Sequence, residues 1–229
     1  MKELPILFAH PMVRAILEGR KTQTRRVVKP QPEVSPQGNL MGEWLGRPLN
    51  GLLLPKLQDI SIHCPYGTPG GRLWVRESYV AFGRWETRYS AKKGRDEWHF
   101  VDMTVETGRK YRFDGAVPNA ARGGATPAWW RRPSIFMPRA AARTLLEVTS
   151  VRVERLQDIS HDDAVAEGLL ILPASGRYVV SQGDQYLGGA DHDPRVVYAD
   201  LWDSLNTERG HGWSTNPWVW VVEFGRIQQ

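Results

Sequence analysis

The sequence predicts an α+β protein in which a small mixed barrel or sheet carries insertions. Strand-like and short helical segments alternate along the 229 residues, and 41% hydrophobic content can fill a substantial core. Two stretches rich in Pro, Gly or charged residues, at about 31–60 and 84–130, are the predicted insertions. We therefore predict one domain over residues 1–229. Its core segments are about 5–30, 61–80, 133–172 and 194–227.

The first predicted elements are a short helix and a strand. Residues 10–18 favour a helix because Pro11 suits the first helical position and apolar residues follow at helical spacing. Gly19 predicts the end of this helix. The β-branched residues between Thr22 and Val28 then favour a strand.

A turn and a hairpin are predicted for the middle of the chain. Pro69–Gly71 is typical of a turn, and a strand follows it as far as Glu77. Residues 84–127 have mixed charge and include the strand-like pieces "WHFVDMTV" and "KYRFDG". We interpret this region as an inserted hairpin plus a loop.

Residues 143–156, "RTLLEVTSVRVERL", predict a pair of strand segments because β-branched residues are frequent in them. A short helix should follow. Ser160 and Asp163 make a start that resembles a capping box, and Gly168 predicts the end of the helix.

The C-terminal part predicts a loop, a helix and a strand. Residues 173–194 are rich in Gly and Asp and favour the loop, and Pro194 begins a helix predicted over 194–206. The stripe predicted to be buried on that helix is Val197, Tyr198, Leu201, Trp202 and Leu205. The closing "NPWVWVVEF" predicts a strand that places Trp218 and Trp220 in the core.

The charge and aromatic content favour an anionic or nucleobase-like ligand. The chain has 30 Lys and Arg against 25 Asp and Glu, a net charge of +5, and arginine greatly outnumbers lysine. Arginine is the better bidentate partner for phosphates and base edges. The ten tryptophans add surfaces on which bases can stack.

The single cysteine, Cys64, excludes an intramolecular disulfide framework and favours a reducing, cytoplasmic setting. No run approaches the roughly 20 apolar residues that a membrane span needs. The N-terminus also lacks the pattern of a signal peptide. We expect a cytoplasmic protein without a membrane partner.

The sequence predicts no metal and no other cofactor. Its six histidines form no pair at close ligand spacing, and Cys64 has no cysteine nearby. A Gly-x-Ser-x-Gly elbow and the nucleotide-binding glycine fingerprints are missing from the sequence. The glycine-rich "YGTPGG" favours a tight turn over a phosphate loop.

The run Trp129-Trp130-Arg131-Arg132 is the strongest basic and aromatic cluster. Bases can stack on tryptophan while arginine contacts phosphate. A half-buried aromatic pair beside solvated arginines explains the same residues. Both interpretations stay open at this point.

The stretch "EGRKTQTRR", residues 18–26, places Lys21 and Thr24 at the predicted joint between helix and strand. A lysine becomes a usable base only where burial or nearby cations lower its pKa, and a threonine nucleophile needs such a base. Arg25 and Arg26 are cations close to Lys21 in sequence. By itself, however, the stretch favours a basic edge over a catalytic site.

Several longer motifs of the chain resemble those of a known protein family. "ILEGRKTQTRR", "EVTSVRVERLQDISHDDAVAEGL" and "WVWVVEF" together resemble the ASCH domain family, which has a PUA-like fold. The family's G-x-K-T-x-T-x-R pattern and the end of its A-x-x-E-G helix match Gly19, Lys21, Thr22, Thr24, Arg26, Ala164, Glu167 and Gly168. The chain is also similar to larger phage- and prophage-associated members in "CPYG", "RLWVRE", "RPSI", "MPR" and "YADLWDSLN". These motifs are spread over nearly the full length.

The resemblance implies a small β-barrel flanked by short helices, with a cleft beside the first helix-to-strand joint and RNA or modified nucleosides as ligands. Small YqfB-like members of the family remove acyl groups from the exocyclic 4-amino nitrogen of acylated cytidines. Their Lys–Thr–Glu triad corresponds by motif to Lys21, Thr24 and Glu167. Arg26 corresponds to an arginine of that group. The two predicted insertions have no counterpart in the small enzymes.

We therefore predict an N(4)-acylcytidine amidohydrolase with catalytic Lys21, Thr24 and Glu167. Thr24 would attack while Lys21 takes its proton, or Glu167 would activate a water molecule while the other two hold the oxyanion. A Glu167 carboxylate would raise the lysine pKa and oppose the first version. We expect the three side chains to flank a cleft, so that their replacement leaves folding intact.

The predicted substrate-binding residues are Arg25, Arg26, Trp129, Trp130 and Arg132. The expected partner is an acylated nucleoside or nucleobase, or RNA or another single-stranded nucleic acid. The alternatives are a non-catalytic module that binds RNA or DNA or reads a modified base, and a ribonuclease. The insertions would form either a lid over the cleft or a cap on the barrel end.

Overall fold

The computed structural model describes residues 3–117, 121–124 and 126–228, without the side chains of 185–187. The strands are β1 (Glu3–Leu7), β2 (Gln23–Val27), β3 (Glu33–Val34), β4 (Leu40–Met41), β5 (Arg72–Arg76), β6 (Tyr79–Ser90), β7 (Arg95–Asp102), β8 (Ala128–Arg132), β9 (Leu145–Arg155), β10 (Leu170–Ile171), β11 (Tyr178–Val179) and β12 (Trp218–Ile227). The helices are α1 (His10–Leu17), α2 (His161–Ala166) and α3 (Pro194–Asn206).

The described residues divide into two compact units. The first comprises the residues up to Ile6, Pro11–Val75 and the residues from Thr144 onward, and the second comprises Leu7–His10 and Arg76–Arg143. The predicted insertion at 31–60 belongs to the first unit. Most of the second unit is the predicted insertion at 84–130.

The main sheet has five strands in the order β1-β5-β9-β12-β2. The long strands β9 and β12 pair antiparallel along their whole lengths, with a shift in register between Glu223 and Phe224. Within the described residues this order leaves β1 and β2 at the two ends of the sheet. The α+β class is therefore confirmed, whereas a small closed barrel is not.

The segment predicted as two strands is one continuous strand, β9, of 11 residues. No glycine or proline interrupts its β-branched run, so the chain has no reason to turn at Thr149 or Ser150. The prediction of two segments was wrong. The single strand carries Arg152 and Glu154, which are important for the site described below, next to β12.

The three predicted helices are all present. Helix α1 begins at the predicted residue and ends one residue before the predicted end, and α3 has the predicted bounds. Ser160 caps α2 by accepting a hydrogen bond from the backbone N–H of Asp163, at 3.1 Å. Gly19 and Gly168 end α1 and α2 with positive φ values of 76° and 104°. The loop predicted at 173–194 contains the short strand β11, which pairs with β10.

An apolar cluster fills the space between α2, α3 and one face of β12. It is formed by Leu156, Ile159, Ala164, Leu169, Val197, Tyr198, Trp202, Val219 and Val221. The prediction that Leu205 is buried was wrong. Leu205 is half exposed because it follows Trp202, the last residue of α3 in this cluster. Trp220 is buried as predicted, and Trp218 is half-buried beneath the guanidinium group of Arg155.

The second unit contains a three-stranded sheet in the order β7-β6-β8. The hairpin of β6 and β7 followed by a loop confirms the prediction for 84–127 as far as the structure describes it, since 118–120 and 125 lie outside the described residues. "KYRFDG" was wrongly read as strand-like and forms only an isolated bridge between Arg112 and Val80. Among the described residues, no helix has the length and apolar character needed to cross a membrane.

Candidate active site

The folding of the first unit brings Lys21 and Glu167 together although 146 positions separate them. Lys21 lies between α1 and β2, and Glu167 follows the last turn of α2. Their backbones form an isolated antiparallel bridge. Gly168 makes this approach possible, because a Cβ atom there would lie 2.9 Å from the Cβ atoms of Ala15 and Lys21.

The side chains of Lys21 and Glu167 form a buried ion pair. The Nζ atom of Lys21 donates to Oε2 of Glu167 and to its backbone oxygen, each at 2.7 Å. The side chains are only 2% and 4% exposed. This burial differs from the open cleft expected from the sequence, and survival of folding after replacement of these residues stays a prediction. They belong to the packed interior of the unit.

The buried position changes the acid–base character of Lys21. Burial is the largest influence, and it lowers the pKa of the Lys21 ammonium group below its usual range. The Glu167 carboxylate acts in the opposite direction, while the charges of Arg26 and Arg25 lower the pKa further. The net effect is a lysine that loses its proton more easily than an exposed one.

Arg25 supports the same carboxylate from β2. Its guanidinium group is 0% exposed and contacts three carboxylates, those of Glu167, Glu154 and Asp163. The Nη1 atom donates to Oε1 of Glu167 at 3.2 Å, so that both oxygens of Glu167 have cationic partners. This environment differs from the accessible position expected of a cation that contacts substrate.

The ion pairs continue across three neighbouring strands, towards the edge of the buried region. Arg152 on β9 donates to Glu154, to Asp163 at 2.9 Å and to Glu223 on β12. Gln23 on β2 donates to Oδ1 of Asp163 at 3.0 Å. The network therefore connects β2, β9, β12 and α2 and fixes their side chains relative to one another.

Asp163 has a shifted pKa as a member of this network. Burial acts to raise the pKa of its carboxyl group. The hydrogen bond from Gln23 and the charges of Arg25 and Arg152 outweigh burial and lower that pKa below its ordinary value. The contribution of this carboxylate to stability is therefore present above the ordinary pKa of aspartate and is lost as the pH falls through the lowered value.

Tyr198 on α3 is a further part of the site. It is buried, and its hydroxyl group interacts electrostatically with the Glu167 carboxylate. Burial raises the pKa of Tyr198 well above its usual value, and the Glu167 carboxylate adds to the increase. The sequence analysis treated Tyr198 only as part of an apolar stripe. Its hydroxyl group was the available signal, because a buried tyrosine normally has a hydrogen-bond partner.

Thr24 is buried but lies on the other face of β2. In the pairing of β2 with β12, Thr24 is opposite Val222 and Arg25 is opposite Val221. Successive side chains of a strand point to opposite faces, so Thr24 points away from the face that carries Arg25. Within the described residues no hydrogen bond joins the Thr24 hydroxyl group to Lys21 or Glu167. Lys21 and Glu167 are thus joined by hydrogen bonds, and among the described residues the Thr24 hydroxyl group does not take part in them.

The other predicted binding residues have separate positions. Arg26 is half-buried on β2 and is close enough to Lys21 to lower its pKa. Trp129 and Trp130 are half-buried on β8 of the second unit. The ring of Trp129 packs on Phe82 with centroids 5.4 Å apart, and Nε1 of Trp130 donates to the Gly83 oxygen at 3.0 Å. Whether the predicted insertions form a lid or a cap is not decided by these positions.

In the ranges that the structure describes, no group of three or more His, Cys, Asp or Glu side chains is arranged to hold a metal ion. Cys64 is buried, and burial raises the pKa of its thiol to about 11. The thiol is therefore protonated at neutral pH and is a poor nucleophile.

Comparisons with protein-family models, with curated proteins and with solved structures gave no match. The site consists of a buried lysine and carboxylate, an arginine and a tyrosine beside them, and a surrounding network of ion pairs.

Proposed function

We propose that the chain is an amidohydrolase that removes acyl groups from the exocyclic 4-amino nitrogen of acylated cytosine or cytidine. The observation that carries this proposal is the buried contact between Lys21 and Glu167, at 2.7 Å. Strongly perturbed titratable groups with a specific charged partner are typical of catalytic sites. The same two residues match the catalytic lysine and glutamate of the family that the sequence resembles. An ASCH domain with a PUA-like fold is part of the proposal.

The proposed reaction needs a base, a stabilised oxyanion and a proton for the leaving amine. Neutral Lys21 takes a proton from a water molecule as the water oxygen bonds to the acyl carbon. The carbon–nitrogen bond then breaks, and the proton held by Lys21 passes to the departing 4-amino nitrogen. The products are the free cytosine base or nucleoside and a carboxylic acid. No metal and no redox partner enters this balance.

Arg25 and Tyr198 act in this proposal through Glu167. Arg25 donates to the carboxylate and Tyr198 interacts with it, so together they hold it in the position that orients the amine of Lys21. Arg25 is therefore a positioning residue, and Arg26 is the cation assigned to the substrate. Ion-pair networks that only stabilise a fold also shift pKa values. Activity measurements separate a catalytic role of this network from a purely structural one.

The test is to incubate the full chain with N(4)-acetylcytidine and to measure release of cytidine by chromatography. We expect release that continues in the presence of a chelator. Absence of release, combined with salt-sensitive binding of a single-stranded oligonucleotide, would contradict the amidohydrolase and support the binding module instead.

Replacement of Thr24 distinguishes the two nucleophiles. If water is the nucleophile, Thr24→Val should change turnover of acetylcytidine less than about tenfold, because no positioned nucleophile or base is lost. If Thr24 attacks, the same change should abolish turnover, whereas Thr24→Ser should retain it. We expect the first result, since Thr24 and Arg25 occupy opposite faces of β2. Steady-state rates of the two variants provide the comparison.

A further inference from the structure

The second unit contains a buried cation that lacks a carboxylate partner. Arg132, at the end of β8, is 8% exposed. Of the cationic side chains that are nine-tenths buried within the described ranges, Lys21 and Arg25 contact carboxylates. Arg132 forms no ion pair with any described carboxylate. Burying a charge without a counter-charge is strongly unfavourable, so this side chain requires an explanation.

Aromatic rings surround the guanidinium group of Arg132. Its central carbon lies 4.6, 4.5 and 5.0 Å from the ring centroids of Trp85, Phe100 and Phe136. Such contacts offset part of the cost of burial. The positive charge of Arg132 also interacts with the hydroxyl group of Tyr79. The rings provide no ordinary hydrogen-bond acceptor for the guanidinium N–H groups.

Two buried donors in this cluster have no hydrogen-bond partner. They are Nε of Arg132 and Nε1 of Trp85, which belong to side chains in direct contact. The Asp102 carboxylate of the same unit accepts instead from the Thr104 backbone at 2.9 Å and from the Tyr111 hydroxyl at 3.1 Å. Unsatisfied buried donors are rare in folded proteins. Two of them beside an unpaired cation favour an anionic acceptor supplied from outside the chain.

The net positive charge of the chain lies in the second unit. Residues 7–10 and 76–143 contain 14 Lys and Arg against seven Asp and Glu, a net charge of +7. The rest of the chain contains 16 against 18, a net charge of −2. A positive excess of this kind attracts polyanions such as nucleic acids.

We propose that Arg132 and Trp85 form a subsite for a phosphate group that is attached to a nucleoside. Guanidinium and indole N–H groups would donate to the phosphate oxygens, and the planar guanidinium suits phosphate better than a point charge does. The ring of Phe136 is 57% exposed beside Arg132 and offers a surface on which a base can stack. This inference is independent of the function proposed for Lys21.

The experiment compares Arg132→Met with Arg131→Met in the full chain. Arg131 is the exposed neighbour of Arg132, and both changes remove one positive charge. The probes are a single-stranded hexanucleotide, a nucleoside 5′-monophosphate and inorganic phosphate. We expect Arg132→Met to weaken hexanucleotide binding about tenfold or more, the scale of hydrogen bonds to a charged group. Arg131→Met should weaken it less than about threefold, as a loss of exposed charge.

Thermal unfolding provides a second readout. Because Arg132 is buried without a counter-charge, Arg132→Met should leave the Tm of the free protein unchanged or raise it. Saturating hexanucleotide should raise the Tm of the wild-type chain more than that of the variant. Equal binding by both methionine variants would overturn the proposal, as would a lower Tm of Arg132→Met with normal binding by the folded fraction.

Two milder variants keep the test decisive if Arg132→Met does not fold. Arg132→Lys and Trp85→Phe retain most of the side-chain volume, and each should weaken binding, whereas normal binding by both would overturn the subsite. Binding of the hexanucleotide alone would identify a polynucleotide ligand, and binding of the monophosphate as well would identify a free nucleotide. Hexanucleotide binding is measured without acetylcytidine, so this readout does not depend on turnover at Lys21. Failure of the amidohydrolase proposal is therefore distinguishable from failure of this one.

Discussion

Replacing Glu167 by alanine is expected to lower the free energy of unfolding by about 3–5 kcal/mol, the usual effect of removing one partner from a buried ion pair. The change leaves the ammonium group of Lys21 and the guanidinium group of Arg25 buried beside an empty position. It also removes the carboxylate that interacts with the Tyr198 hydroxyl group. Urea titration of the purified variant against the wild-type chain measures the difference.

Glu147→Ala is the matched control for this prediction. Glu147 is an exposed glutamate on β9, so its replacement should change stability by no more than about 0.5 kcal/mol. If Glu167→Ala were as stable as Glu147→Ala, the buried network would not contribute to folding as described. Any measurement of the activity of Glu167→Ala must therefore be normalised to its folded fraction.

Replacing Lys21 by methionine is expected to reduce turnover of acetylcytidine by at least about a hundredfold, the usual scale for the loss of an acid–base group. Methionine retains most of the length of the side chain but cannot carry a proton. The Glu167 carboxylate keeps its contacts with Arg25 and Tyr198, so we expect the variant to fold. Initial rates at saturating substrate, with folding checked by circular dichroism, provide the measurement.

Lys29→Met is the control for the loss of a lysine near the same strand, because Lys29 is exposed two residues after β2. Its turnover should match that of the wild-type chain. If Lys21→Met retains wild-type turnover, Lys21 is not the base, and the pair with Glu167 has a structural role only.

The sequence predicted the element types well where local signals are strong. The ends of α1 and α2 follow from Gly19 and Gly168, whose positive φ values only glycine adopts readily. The start of α3 follows from Pro194 at its first position. The continuous course of β9 was missed although no turn signal lies at Thr149 or Ser150. The register with β12 shifts there, between Ser150 and Val148, without ending the strand.

The burial of the charged site could not be predicted from local pattern. Arg25 occurs in a basic run, and such runs are normally exposed. Its partners Glu154, Asp163 and Glu167 come from β9 and α2, more than 120 positions further along the chain. Only the tertiary pairing places these charges next to one another. The motif therefore pointed to Lys21 and Glu167, whereas the contact of Arg25 with Glu167 required the structure.

The pH dependence of turnover tests the central claim most directly. Lys21 must be unprotonated to act as a base, and burial lowers its pKa from the ordinary 10.5. Turnover of acetylcytidine by the wild-type chain, corrected for hydrolysis in buffer alone, should therefore rise with pH along a limb whose midpoint lies below 10.5. The limb should be missing from Lys21→Met. Absence of cytidine release at every pH, or an identical limb in the variant, would contradict the assignment of Lys21 and Glu167 as the catalytic pair.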